Sequence, residues 1–126
     1  MKKKINDFTD LEVYNLSVDL AREIYSLTSR FPSEEKFGVT NQLRRATSSV
    51  GANTAEGFGR FHKKDFIRFL YNSRGSLYET QHFLILSNKL DYLNSNKLKE
   101  FNIKIKNLGI KLNNLISSIY SSKFDN

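Results

Sequence analysis

Leu98, Phe101, Ile105, Leu108, Leu112, Leu115 and Ile119 recur in steps of three and four. That is the period of one side of an α-helix, not of a strand. So long a seam has to lie against other helices, because a helix in water holds its shape mainly by burying such a face. The rest of the chain agrees. One proline and six glycines in 126 residues are too few turn-formers for a sandwich of short strands. Three further periodic segments precede the seam. Together they predict an all-α protein, an antiparallel up-down-up-down four-helix bundle in a single domain spanning 1–126, with helices over 10–29, 39–58, 63–90 and 95–121.

The joints carry their own signals. Thr9-Asp10-Leu11-Glu12 has the form of a capping box, with Phe8 and Val13 as its hydrophobic staple. Phe31-Pro32 ends the first helix, since a residue before proline is pushed out of the α region. Glu34 and Glu35 follow Ser33 at a short helical start, where the helix dipole favours acids. Gly57-Phe58-Gly59 is expected to close the second helix with a glycine in the left-handed conformation. Gly51, Ala52 and Ala55 on that helix, with Ser73, Gly75 and Ser76 on the third, predict a close crossing. Gly75 costs about 1 kcal/mol of helix propensity, so it is expected to serve packing. Asn94 or Ser95 caps the fourth helix.

Charge narrows the partners. The net charge is +7, and residues 60–126 hold twelve basic against five acidic groups while residues 1–59 balance. This asymmetry points either to an anionic partner or to plain solubility. No cysteine is present, which excludes disulfides, thiolate chemistry and Cys-type zinc sites. The lysines of the N-terminus have no apolar run behind them, and no apolar stretch approaches the ~20 residues of a membrane helix. A soluble cytoplasmic protein with no membrane partner is the expectation.

No catalytic set assembles. Glu79 and His82 form one Glu-x-x-His step, but a di-iron bundle needs two such steps and further glutamates. No catalytic residue, metal or cofactor is predicted. The stronger signal is a polar row on the second helix, Gln42, Arg45, Ser49, Asn53, Glu56 and Arg60. If buried, Arg45 and Glu56 need ionic partners, and Arg74 and Glu79 on the third helix are the natural counterparts. With Arg44, these residues form either a structural network, of the bundle or of a subunit interface, or a ligand site. Lys97, Lys104 and Lys111 are seven apart on the fourth helix, and Lys99 and Lys106 make a second row. Such rows suit phosphate contacts and equally suit a solvated helix flank. Arg60, Lys63, Lys64 and Arg68, with Lys2, Lys3 and Lys4, could extend a basic surface.

An ordered set of motifs adds to this reading: Phe8-x-x-Leu11-x-Val13, Phe31-Pro32-x-x-Glu35-x-Phe37-Gly38, Gln42-Leu43-Arg44-Arg45-Ala46, Ser49-Val50, Asn53-x-Ala55-Glu56-Gly57-x-Gly59-Arg60, Phe69-Leu70 and Gly75-Ser76-Leu77-x-Glu79. The set resembles the proteins first noticed as reading frames in intervening sequences of bacterial 23S ribosomal RNA genes. Tyr14 departs from the usual Trp, Ser17 from the usual Ala, and Asn72-Ser73 from an apolar-Ala pair. The resemblance implies a ring-like homopentamer of four-helix bundles without recognised catalytic residues. It also implies kinship with the accessory variability protein of diversity-generating retroelements, a basic pentamer that binds its reverse transcriptase and nucleic acid. The expected function is therefore a non-enzymatic oligomer that binds RNA or DNA without sequence preference, or serves as adaptor to a nucleic-acid enzyme such as a reverse transcriptase. The alternative is a protein–protein assembly scaffold.

Overall fold

The structure, a computed structural model, describes residues 4–122. Lys2, Lys3 and the two ends of the predicted 1–126 domain lie outside the described residues. Four helices form: α1 (Glu12–Thr28), α2 (Val39–Phe58), α3 (Lys63–Lys89) and α4 (Ser95–Tyr120). No strand occurs among the described residues. Each helix packs on the next in an antiparallel bundle, and α4 returns to α1. Short 3₁₀ turns at Phe8–Asp10 and Ser33–Glu35 precede α1 and α2. No helix among the described residues is long and apolar enough to cross a membrane.

The core is the meeting line of the four stripes. Ile24, Leu43, Val50, Leu70, Leu77, Leu84, Phe101, Ile105, Leu108 and Leu112 are all buried in one cluster. At about 1.5–3 kcal/mol for each large side chain taken out of water, this cluster is the main drive for folding. The α2–α3 pair packs most closely. At its centre the buried hydroxyls of Thr54 and Ser73 lie 2.9 Å apart, each within 2.9 Å of the Val50 carbonyl oxygen. Their polar atoms are thus satisfied inside the core, where an unpaired hydroxyl would cost stability.

Three local expectations are corrected. The Thr9 capping box does not form. Instead the Asp10 carboxylate accepts from the amides of Asn6 (2.9 Å) and Asp7 (3.1 Å), and the Thr9 hydroxyl donates to Asp7. An ionised carboxylate is the stronger acceptor and takes the turn. Phe8 meets Tyr14 edge-on at 4.8 Å and packs against the cluster that holds Val13. Second, no glycine among the described residues has a positive φ; Gly59 ends α2 at φ −76°. Gly57 is needed for space: a Cβ there would lie 2.6 Å from that of Phe69. Third, Gly75 is exposed, and a Cβ on it would meet nothing within 4 Å in the single chain. It does not serve the α2–α3 crossing.

Candidate functional site

The polar row of α2 lies on the surface. Arg45 pairs with Glu79 of α3 and also donates to the Gln42 carboxamide oxygen at 3.1 and 3.2 Å. The Arg45 and Glu79 side chains remain 50% and 38% exposed, so the pair is solvated and modest in strength. Ser49 and Asn53 donate back to the Arg45 and Ser49 carbonyls of their own helix. Glu56 pairs with Arg60 one turn on, at 2.8 Å, and not with Arg74. Arg74 turns to α4, donating to Asn113 at 2.9 Å and stacking on Tyr71. Arg44 has a separate task. Its guanidinium donates to the Thr28 hydroxyl (2.8 Å) and the Tyr25 carbonyl (3.3 Å), closing the C-terminus of α1, where a cation also suits the helix dipole. The predicted row is therefore a set of separate small clasps rather than one buried network. With the Glu79 carboxylate engaged by Arg45 and His82 exposed beside Phe83, that helical step is not shaped as a metal site. No group of three His, Asp or Glu side chains converges among the described residues.

The basic residues do not form one patch. Lys104 and Lys111 reach across to Glu23 and Glu12 and tie α4 to α1, and Lys97 lies 3.8 Å from Glu100. Two of the three lysines of that row therefore bridge α4 to α1, and Lys97 pairs within its own helix. Lys99 and Lys106 stand on another side of α4, exposed and without a carboxylate partner among the described residues. Arg60, Lys63, Lys64 and Arg68 gather where α2 turns into α3.

Wide apolar faces on long helices lead one to expect apolar surface left over for self-association, but sequence reasoning did not say which residues form it. Tyr71, Tyr78 and Ile85 on α3, and Ile103, Ile110 and Tyr120 on α4, are all exposed, Ile103 by 65%. They belong to one face, since Arg74 meets Asn113 and Gln81 meets Asn102 across the two helices. The neighbouring Tyr71 hydroxyl raises that of Tyr120 above its ordinary pKa. Gly75 falls on the Tyr71–Tyr78–Ile85 stripe by its four-and-three spacing. Lys99 and Lys106 alternate with Ile103 and Ile110. The signal was in the sequence, as the apolar residues left over once each core stripe is assigned.

A second missed residue is Glu35. Its carboxylate accepts from the Val39 amide at the start of α2 (3.1 Å) and from the Tyr92 hydroxyl in the α3–α4 link (2.7 Å). These bonds, Tyr92 first, lower the pKa of Glu35, and the same contact raises that of Tyr92.

Residues 9–114 match the 23S rRNA-intervening sequence protein family. Among solved structures, the chain is similar to a protein of unknown function from the S23 ribosomal protein family of Bacteroides thetaiotaomicron VPI-5482. The two share 25% identity with a TM-score of 0.77, over 83% of this chain and 95% of that one. No curated protein matches the chain.

Proposed function

This chain belongs to the 23S rRNA-intervening sequence protein family, and from that premise we propose that it works as a non-enzymatic assembly of several copies that binds RNA or DNA through cationic side chains. The family resemblance favours five copies. The observation that carries the proposal is the mixed outer face of α3 and α4. Its exposed tyrosines and isoleucines favour contact with another copy. Lys99 and Lys106, unpaired among the described residues, stand ready for phosphate oxygens beside it. The basic excess of residues 60–126 supplies the long-range attraction.

Light scattering with and without RNA tests both halves. The expected result is an oligomer whose mass rises on adding RNA at low salt, with binding lost as salt is raised, the mark of counterion release. Lys99→Gln with Lys106→Gln should weaken RNA binding per assembled oligomer, with the oligomer mass read alongside because both lysines border the contact face. Absence of RNA binding at low salt would refute the nucleic-acid half. One observation favours the scaffold reading: Lys97, Lys104 and Lys111 each lie beside a carboxylate, so part of the basic excess is structural. An oligomer that never binds RNA is the outcome that reading expects.

A further inference from the structure

We propose that the cavity at the α2–α3 joint is a nucleotide pocket for single-stranded nucleic acid. This rests on the nucleic-acid reading above and adds to it a location and a strand preference. The cavity encloses about 450 Å³, inside the usual range for ligand pockets. Phe58 and Phe66 form its apolar floor, their rings edge-to-face at 5.9 Å. Phe61, 83% exposed, stands at its mouth. Arg60 supplies a cation at the rim, His62 stands beside it, Lys63 donates to the Ser122 carbonyl at 3.1 Å, and no carboxylate lines the cavity among the described residues. An aromatic floor under a cationic rim fits a flat, apolar body carrying a phosphate.

The cations beside it are pre-positioned. The Arg60 and Arg68 guanidiniums both lie over the Phe69 ring, 4.9 and 4.6 Å from its centroid. Glu56 and Asp65 hold them there, at 2.8 and 3.5 Å. Lys64 follows on the exposed side of α3. A strand whose base enters the cavity finds Lys64, exposed and without a carboxylate partner among the described residues, for a neighbouring phosphate, and the solvated Arg60 and Arg68 pairs next to it. Stacking on Phe61 tolerates any base, because every base has a π-face. A duplex holds its bases paired and stacked, so it can offer this ring nothing without unstacking first. The pocket thus selects single strands by availability of the base rather than by sequence.

The test uses the full chain, labelled oligo(dT) and a blunt duplex of equal length, read by fluorescence anisotropy at low salt. The parent protein should bind the single strand more tightly than the duplex. Phe61→Ala, at an exposed position that leaves the fold intact, should weaken single-strand binding about tenfold and leave duplex binding unchanged. The chain contains no tryptophan, so Phe61→Trp places a sole tryptophan at the mouth, excited selectively over the tyrosines, and oligo(dT) should quench it. Single-strand affinity unchanged in Phe61→Ala, or a Trp emission unquenched at saturation, overturns the pocket and leaves nucleic-acid binding standing. No binding of either form by the parent protein removes both.

Discussion

Glu35 joins two places far apart in the chain, and its ionisation strengthens the junction. The bonds from Tyr92 and the Val39 amide favour the charged carboxylate and lower its pKa. A group with a lowered folded-state pKa contributes stability that is fully present above its unfolded value, about 4.3 for Glu, and is lost as pH falls through the folded value. Tyr92 works in the opposite direction. Its raised pKa means a contribution intact below about pH 10, lost as pH rises through the folded value. Glu35→Gln should therefore be less stable than the parent protein at neutral pH, with the difference shrinking as the pH is lowered toward 3. Urea midpoints across that range measure it, and a difference independent of pH would contradict the assignment. Nothing in the local sequence announced this role. Glu35 reads as one of two acids at a helix start, and Tyr92 is remote from it in the chain.

At the level of the elements, the α3–α4 link shows a helix stop made without glycine. The Tyr92 amide donates to the Ser87 carbonyl at 2.9 Å and that of Asp91 to Asn88 at 3.0 Å, with Asp91 in the left-handed region at φ 65°. This is the double-bonded helix closure in which glycine is favoured, because a Cβ is strained at that φ. The negative charge of Asp91 also sits at the negative end of the α3 dipole. Asp91→Gly should raise stability by about 0.5–1 kcal/mol, read as a higher urea midpoint with an unchanged slope; a lower midpoint would show that Asp91 has a compensating partner. The four helices themselves were legible, because each stripe repeats often enough to outweigh local exceptions, and the Asn94 cap follows directly, accepting from the Lys97 amide at 2.8 Å. The caps of α1 and α2 were not. At Thr9 two acceptors compete, and only the folded geometry shows that Asp10 prevails. At Gly57 the demand for a small residue comes from Phe69, on a different helix. The site divided the same way. The Arg45–Glu79 pairing followed from charge and spacing, whereas Lys104 and Lys111 are tied down by α1 carboxylates that no local pattern connects to them.

For the whole molecule, the same residue can favour the single chain and oppose its assembly, and Gly75 separates the two. In the isolated bundle a Cβ at Gly75 meets nothing within 4 Å, and alanine is the better helix former by about 1 kcal/mol. Gly75→Ala should therefore stabilise a dissociated chain. On the proposed contact face, however, Gly75 lies between the exposed Tyr71 and Tyr78, where the missing side chain lets a neighbouring copy approach closely. If copies meet there, the added methyl intrudes on that contact, and association weakens while the single chain gains stability. Tyr78→Glu should act more strongly in one direction only. Tyr78 is 55% exposed in the single chain, so the fold tolerates the charge, but an unpaired carboxylate buried between copies is costly. Sedimentation velocity across a dilution series, paired with thermal melts at the lowest concentration, reads both quantities. Weaker association in both variants, with a higher melting temperature for Gly75→Ala in the dissociated form, is the expected pattern. Unchanged association in Tyr78→Glu would move assembly away from the α3–α4 face and leave its tyrosines and isoleucines for a different partner.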